Sequence, residues 1–342
     1  GAGPGCMCFK GLNMLDQALV SGFAVEPPDQ GLCIGNGFIL EAVNLAFVVY
    51  DQNGTKLKGP TFMNTFFKLD RFQFTSDPRC LYDRQTRRWF ATTLQIDVRS
   101  TPAPHILTGK SHLIIAVSQT DDPRLGWNVV SIDTTDNGTG GTQTHPRCPC
   151  YGDQPLIGAD RHGFYVTTNE FPLFTGGFNG AQIYAMSKKH LAQGFLPTVV
   201  HFGGLPLAEG IAYSVQPATS PGREEEGEDR GEDSGEGVEY FMSTLDFRGP
   251  LDNRIAVWAI KDTASLKEFT PDVELSKTIV TSEAYGVPPD AIQKPGPASS
   301  TPFKNAFAPL QPLEMLSTGD DRMQAVVFAD GKLWGSLSTV VR

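Results

Sequence analysis

The sequence predicts an all-β protein, a β-propeller of antiparallel blades. Short runs rich in β-branched and aromatic residues recur along the 342 residues between Gly, Asp and Asn turns, a pattern typical of antiparallel strands. One hairpin phrase also recurs several times, which indicates radial repetition of a single unit. A β-sandwich is the alternative, but it explains only the strands and leaves the repeated phrase unexplained.

The repeated phrase consists of an acidic residue, a short apolar strand, a tight polar turn, and a second strand with an aromatic residue near its start. A weaker copy begins near Val215, and the four clear copies are Pro27–Asn44, Asp77–Gln95, Gly152–Glu170 and Asp320–Ser338. Blades commonly run about 40–50 residues and lengthen through loop insertions. We therefore expect five or more blades in the intact protein. The last blade is incomplete here, so residues 1–342 are interpreted as one propeller domain truncated at its C-terminus.

Two insertions interrupt the repeat without belonging to it. Residues 219–237 are predicted to be an acidic, disordered insertion, because eight carboxylates crowd the stretch after Arg223. Residues 286–302 form a predicted Pro-rich loop. The net charge of −10 includes −6 from the acidic insertion, so the rest of the chain is nearly neutral. A negative chain repels phosphate backbones, which argues against nucleic acid as a partner.

The chain contains six cysteines and no apolar run long enough to span a membrane. An even cysteine count favours disulfides, an oxidising compartment and a secreted, extracellular protein. Cys33 and Cys80 occupy equivalent positions in the first two hairpin copies, so we predict that they bond to each other. Cys148 and Cys150 are also expected in disulfides. Zinc held by two Cys-x-Cys pairs, or free thiols, remain as alternatives.

The acidic residues that open the hairpin copies are the candidate ligand-binding groups. In a propeller the innermost strands surround a central channel, so Asp29, Asp77, Asp153 and Asp321 are predicted to lie at one channel mouth. Such carboxylates could hold a calcium ion, and no other cofactor is expected. They could also supply the acid and the base or nucleophile of a glycosidase. Alternatively, each aspartate caps a turn or accepts bonds from the next blade's backbone amides.

Cationic residues near these aspartates could bind a ligand carboxylate. Arg79 lies two positions after Asp77, and Arg322 follows Asp321 directly. Both arginines are predicted at the channel mouth as counter-charges. Arg147, His145 and His162 lie near the third hairpin copy and could join them in binding a carboxylated sugar.

Several long phrases of the chain resemble a family of secreted, mainly bacterial proteins of uncharacterised activity that are presumed to be propellers. The phrases are FKGLNMLDQ, EPPDQGLCIGNGFILEAVN, CPCYGDQPLIGADRHGFYVTTNEF and TGDDRMQAVVFADGKLWGSLST. The resemblance implies a propeller fold and an extracellular location. It implies no particular reaction.

Two functional classes follow from these patterns. The first is a secreted binding or scaffold module for an extracellular glycan or protein. The second is a glycan-active hydrolase or lyase that uses carboxylates at the channel mouth. The chain lacks the Ser-x-Asp-x-Gly-x-x-Trp boxes of sialidases, a Gly-x-Ser-x-Gly elbow, a phosphate-binding glycine loop and a His-Glu-x-x-His motif. The sequence therefore leaves open whether the protein is an enzyme.

Overall fold

The structure is a computed structural model that describes residues 8–99, 106–220, 237–245, 251–292 and 317–340. Almost all of the predicted acidic insertion at 219–237 falls outside the described residues. Most of the predicted Pro-rich loop at 286–302 does so too.

The described strands form five antiparallel units in chain order, each beginning with the hairpin predicted from the repeated phrase. Blade 1 contains β1 (Gly31–Gly35), β2 (Phe38–Val43), β3 (Ala46–Asp51) and β4 (Lys56–Phe62). Blade 2 contains β5 (Phe74–Asp83), β6 (Arg88–Arg99), β7 (Ile106–Ser118) and β8 (Trp127–Asp133). Blade 3 contains β9 (Cys150–Ala159), β10 (Gly163–Pro172), β11 (Gly180–Ser187) and β12 (Val199–Phe202).

A short hairpin separates blade 3 from blade 4. It consists of β13 (Pro206–Leu207) and β14 (Gly210–Ile211). Blade 4 contains β15 (Gln216–Thr219), β16 (Val238–Thr244), β17 (Asp252–Lys261) and β18 (Glu274–Tyr285), and the fifth unit contains β19 (Met323–Ala329) and β20 (Lys332–Leu337).

Helices are few and short in the described part of the chain. They are α1 (Met14–Ser21), α2 (Met63–Phe66), α3 (Lys188–Ala192) and a 3₁₀ turn at Thr263–Lys267. None of the described helices has the length and apolarity that crossing a bilayer requires.

The first strands of the blades lie side by side around the centre of the molecule. The end of β15 pairs in parallel with the end of β9 on one side and with β19 on the other. Two glycines allow close approach between neighbouring first strands. A Cβ added at Gly31 would lie 2.8 Å from the Pro78 carbonyl oxygen, and one added at Gly158 would lie 2.2 Å from that of Ala218.

A central cavity of about 240 Å³ confirms the radial arrangement. Its wall includes residues of all five first strands or of the positions just before them: Gln30, Arg79, Gln154, Gln216 and Arg322. Only a ring of blades brings five such positions to one space, because two face-packed sheets have no common axis. The predicted β-propeller is therefore confirmed.

Apolar cores fill the spaces between consecutive blades. Each strand places alternate side chains against opposite neighbours. In β6, Trp89 faces blade 1 while the next residue, Phe90, faces blade 3. In β10, Phe164 faces blade 2 while Tyr165 faces blade 4. Strands buried on both faces read as nearly continuous apolar runs, which is how they appear in the sequence.

Two disulfides occur in the described residues. Cys33 bonds to Cys80, with a Cα separation of 5.8 Å, so the predicted pair joins the first strands of blades 1 and 2. Cys148 bonds to Cys150 just where blade 3 begins, with a Cα separation of 4.5 Å. Because both cysteines of this second pair are oxidised, they offer no thiolates to a zinc ion, and the zinc alternative has no support at this pair.

We expect Cys33→Ser to lower the free energy of unfolding by about 2–4 kcal/mol, because the bond closes a loop of 47 residues in the unfolded chain. Chemical denaturation under oxidising conditions measures the change. The double variant Cys33→Ser/Cys80→Ser should lose nearly the same amount, since either substitution alone already opens the bond. A double variant that loses twice as much would contradict this account.

Candidate functional site

Three of the four predicted aspartates meet at the channel. Asp77 lies between Asp29 and Asp153, and its carboxyl group is within hydrogen-bonding reach of both. The three residues come from the beginnings of blades 1, 2 and 3. Because three consecutive blades contribute one carboxyl each, the group requires the radial arrangement of these blades. We call Asp29, Asp77 and Asp153 the aspartate cluster.

Irregular backbone at the strand starts positions these side chains. The β5–β6 register shifts between Ser76 and Arg79, and Asp77 has a left-handed φ of +56°. The β9–β10 register shifts in the same way around Gln154, whose φ is +49°. A bulge redirects a side chain out of the regular alternation, and bulges are common next to functional sites.

Asn44 ties two of the blades together behind the aspartate cluster. Its side-chain amide donates to Asp29 Oδ2 at 2.9 Å and to the Pro27 carbonyl at 2.6 Å. Its Oδ1 accepts from the Asp77 backbone amide at 2.8 Å and from the Ser76 hydroxyl at 3.1 Å. Asn44 is fully buried, so these four bonds fix Asp29 relative to Asp77.

The Asp77 carboxyl group is the electrostatic centre of the cluster. Burial, followed by the repulsion of Asp153 and Asp29, raises the pKa of Asp77 to about 7. Its Oδ1 accepts from the Ser76 hydroxyl at 2.9 Å, and its Oδ2 accepts from the Gln154 backbone amide at 3.1 Å. Burial also raises the pKa of Asp153, while the positive charge of Arg322 opposes that rise. A single proton held near Asp77 therefore reduces the electrostatic repulsion among the three carboxyl groups.

Arg79 lies beside the aspartate cluster, as predicted. Its Nη1 donates to the Gln30 carbonyl at 2.9 Å, and its charge interacts with Asp77 and Asp29. Burial lowers the pKa of its guanidinium group, although these two carboxylates oppose the change. Arg79 thus offsets part of the negative charge of the cluster.

Arg322 enters from the fifth unit and is held by three groups. Its guanidinium group bonds to Asp320, with Nε 2.6 Å from Oδ1, and also donates to the Gln154 side chain. Its Cζ lies 4.8 Å from the centroid of the Tyr213 ring, a cation–π contact. The acidic partner of Arg322 is therefore Asp320, which the sequence analysis did not single out.

Asp321 takes a different place from the other predicted aspartates. It is 1% exposed, and its negative charge acts on Tyr285, a member of the core between blade 4 and the fifth unit. The side chain of the preceding residue, Asp320, is the one that reaches Arg322. Successive residues of an extended chain point to opposite sides, so Asp320 and Asp321 cannot both face the same partner.

The three other predicted cationic residues do not gather at the aspartate cluster. His162 lies at the far end of blade 3, where its backbone amide donates to Asp160 Oδ1 at 2.8 Å. Arg147 is exposed and donates to the Gly176 carbonyl at 2.9 Å. His145 belongs to a second polar cluster, on the loop between β8 and β9.

This second cluster contains Asp136, His145, Glu170 and His201, and we call it the histidine–carboxylate cluster. The His145 Nδ1 lies 2.9 Å from Glu170 Oε2 and 4.0 Å from Asp136 Oδ2. The His201 Nδ1 lies 4.0 Å from Asp136 Oδ1. Burial and the neighbouring Glu170 raise the pKa of Asp136 to about 8, and burial raises that of Glu170.

Potential metal ligands are grouped at the histidine–carboxylate cluster. Among the described residues, two groups of three residues place possible ligand atoms within 4.8 Å of one another: Asp136 with His145 and Glu170, and the Cys148–Cys150 pair with Glu170. The two cysteines of the second group are joined in a disulfide and offer no thiolate. Neither group includes Asp29, Asp77 or Asp153. Calcium at the aspartate cluster therefore stays a prediction.

Solved structures with a similar arrangement of strands are glycoside hydrolases. An α-L-arabinofuranosidase from Lactobacillus brevis is 10% identical, with 74% of each chain covered and a TM-score of 0.33. A GH43 endo-arabinanase from Bacillus licheniformis is 11% identical, with 70% of this chain and 72% of that chain covered and a TM-score of 0.33. A family 117 glycoside hydrolase from Zobellia galactanivorans is 7% identical, with coverages of 77% and 74% and a TM-score of 0.36.

These similarities are too low to carry an argument about the chemistry of this chain. No family model matches the sequence, and no curated protein matches it. The resemblance to secreted bacterial proteins of uncharacterised activity gains no support from these comparisons.

The raised pKa of Asp77 predicts how its replacement changes stability with pH. The folded state keeps the proton to about pH 7, whereas an unfolded aspartate loses it near pH 4. Stability contributed by this group therefore falls as pH rises from about 4 to 7. Asp77→Asn removes that loss, and asparagine tolerates the left-handed backbone. We therefore expect the difference in the free energy of unfolding between the variant and the wild type to shift in favour of the variant by roughly 1–4 kcal/mol from pH 4.5 to pH 8.

Thermal denaturation at the two pH values measures this gain. The control is Asp290→Asn, which changes an exposed aspartate and should shift the melting temperature equally at both pH values. If Asp77→Asn lowers the melting temperature by the same amount at pH 4.5 and pH 8, Asp77 acts only as an ionised acceptor of backbone bonds.

Proposed function

We propose that this protein is a secreted glycan-active hydrolase whose reaction takes place at the aspartate cluster. The observation that carries the proposal is the meeting of Asp29, Asp77 and Asp153, from three blades, next to residues that line the central cavity. Buried carboxyl groups with raised pKa values, gathered in one polar site, are typical of acid–base catalysis.

Hydrolysis of a glycosidic bond requires two carboxyl groups in opposite protonation states. One donates a proton to the leaving oxygen, and the other, as a carboxylate, activates water or attacks the sugar directly. Asp153 suits the first role because burial raises the pKa of its carboxyl group. Asp29 suits the second, and the Asn44 amide donates to its Oδ2 at 2.9 Å. Asp77 is within hydrogen-bonding reach of both, which is too close to Asp153 to flank a glycosidic bond with it, so its role is to adjust their ionisation.

Basic and aromatic groups around the cavity suit a sugar ligand. Arg79 and Arg322 line the cavity, and each can donate to hydroxyl or carboxylate oxygens. The Tyr213 ring stacks on Arg322, which holds the guanidinium group in place. An extracellular glycan is therefore the proposed partner.

A non-catalytic binding or scaffold module is the second candidate. The bond from the Gln154 amide to Asp77 Oδ2 favours it, because this bond gives Asp77 a structural role between blades. However, binding a neutral glycan needs aromatic and amide groups and no carboxyl group with a raised pKa. The aspartate cluster supports the hydrolase better.

The proposed secretion rests on the two disulfides. Disulfides persist in oxidising compartments and are rare in reducing ones.

The hydrolase proposal is tested by incubating the full chain with a panel of plant, algal and bacterial polysaccharides and measuring released reducing ends. We expect release from at least one polymer. We expect Asp77→Asn and Asp153→Asn each to reduce kcat/KM about 10²–10⁴-fold on that polymer, because Asp153→Asn removes the proton donor and Asp77→Asn removes the group that adjusts the ionisation of its two neighbours. Asp290→Asn is the matched control and should retain full activity.

The outcome that supports the binding module is different. Affinity electrophoresis would then show that a polysaccharide retards the chain, while no reducing ends appear from any polymer. Retention of activity in both Asp77→Asn and Asp153→Asn would move the reaction away from the aspartate cluster.

A further inference from the structure

The histidine–carboxylate cluster leaves one buried carboxyl oxygen without a hydrogen-bond donor. The carboxyl groups of Asp136 and Glu170 are each 1% exposed, so water does not stabilise their negative charge. Asp136 and Glu170 are close enough to share a hydrogen bond, yet the Asp136 Oδ2 atom has no protein hydrogen-bond partner. Two buried, adjacent carboxyl groups require protons or a cation between them.

Two glutamines fix which ring nitrogens face the carboxyl groups. The Gln143 side-chain nitrogen donates to the His201 carbonyl at 3.2 Å, so its Oε1 must be the atom 3.0 Å from His145 Nε2. The Gln182 side-chain nitrogen donates to the Gly180 carbonyl at 3.3 Å, and its Oε1 lies 3.0 Å from His201 Nε2. An amide oxygen can only accept, so both histidines carry a proton on Nε2.

In the neutral form of each ring, Nδ1 therefore carries a lone pair, and these lone pairs face the carboxyl groups. Acceptor atoms of Asp136, His145 and Glu170 lie within 4.8 Å of one another, and His201 Nδ1 lies 4.0 Å from Asp136 Oδ1. Metal-binding histidines usually donate their other ring N–H to an oxygen acceptor that fixes the tautomer, which is the role of Gln143 and Gln182 here. Asn179 similarly donates to Glu170 Oε1 at 2.8 Å and fixes that carboxyl group.

We propose that Asp136, His145, Glu170 and His201 bind one divalent cation of the zinc class. Mixed imidazole and carboxylate donors suit Zn²⁺, whereas Ca²⁺ prefers six or more oxygen ligands. The ion ties the loop between β8 and β9, which carries Asp136 and His145, to the end of β10 and to β12.

The surroundings of the cluster allow an ion to reach it. A surface cavity of about 280 Å³ is lined by Gln143, His145 and Asn179. The side chains of His145 and His201 are each 15% exposed, so the imidazole side of the cluster is open to this surface. Gly203 lies against the same groups, and a Cβ there would come within 2.5 Å of Gln182 Oε1 and 2.9 Å of His145 Cε1. Any larger residue at this position would displace them.

The test is calorimetric titration of the chelator-treated full chain with ZnCl₂ and, separately, with CaCl₂. Reductant is omitted, so Cys148 and Cys150 stay in their disulfide and offer no thiolate. We expect one Zn²⁺ per chain, a rise in melting temperature on binding, and at least tenfold weaker binding of Ca²⁺. Co²⁺ bound in place of Zn²⁺ should show the visible absorption bands of a four-coordinate site.

Variants distinguish this site from any other. Glu170→Gln keeps the shape of the side chain and the bond from Asn179, but removes a charged ligand. It should weaken Zn²⁺ binding at least tenfold, and His145→Ala should do the same. Gln143→Ala should weaken binding about 10-fold through the tautomer of His145. His190→Ala is the control, because His190 lies at the far end of the same blade, and it should bind as wild type does.

Two results would overturn the proposal. One is the absence of saturable Zn²⁺ binding by the folded wild-type chain, which would mean that protons alone balance the carboxyl groups. The other is unchanged affinity in both Glu170→Gln and His145→Ala. Circular dichroism of each variant at its working temperature establishes that a loss of binding is not a loss of fold. Because the titration does not use the glycan reaction, its failure leaves the proposed hydrolase function untouched.

Discussion

The closure of five strand units around one channel is the constraint on which the rest of this structure depends. It forces the beginnings of the first strands into a space of about 240 Å³. The chain meets this constraint with left-handed backbone at Asp29, Asp77, Gln154 and Ser214, one such residue at or just before the first strand of each of four blades. Aspartate, asparagine and glycine adopt this conformation more readily than other residues, so aspartates are favoured there for backbone reasons as well.

The same closure explains why two asparagines are buried behind the channel. Asn44 at the end of β2 accepts from the backbone amide of Asp77, and Asn169 in β10 accepts from that of Ser214 at 2.8 Å. In both cases the accepting asparagine belongs to one blade. The donating backbone amide belongs to a residue with left-handed backbone at the beginning of the next blade. A left-handed residue directs its amide away from the strand ladder, so it needs a side-chain partner. The asparagine provides this partner and links adjacent blades.

The repeated hairpin phrase was enough to predict the fold, because it marks the first two strands of every unit. It also predicted that Asp29, Asp77 and Asp153 occupy equivalent ends of the first strands. The phrase did not predict Asp320 as the partner of Arg322, since a shift of one residue reverses the direction of a side chain in extended chain. Asn44 and Asn169 occupy the same place in two copies of the repeated phrase, in EAVN and TTNE. This shared place near the end of a second strand was the signal from which their common role could have been predicted.

The histidine–carboxylate cluster could not be predicted from the sequence in this way. His145 and His201 are 56 positions apart, and Asp136 lies in a loop that belongs to no copy of the repeat. Their meeting depends on how that loop folds back over the end of β10, and a pattern of strand residues contains no information on this. Glu170 was visible at the end of the third hairpin copy, but nothing in the repeat distinguishes a carboxylate that faces a loop from one that faces solvent.

The two clusters meet at the end of β10, and the pairing with β9 shows how one strand serves both. Asn169 pairs with Asp153, and the next residue, Glu170, pairs with Gly152. Consecutive residues project to opposite faces of the strand, so Asn169 reaches Ser214 in blade 4 while Glu170 reaches Asp136 and His145 on the other side. A group that fixes Glu170 therefore also fixes the backbone beside Asp153. The loop between β8 and β9 is in this sense part of the support of the aspartate cluster, although none of its residues is among the three aspartates.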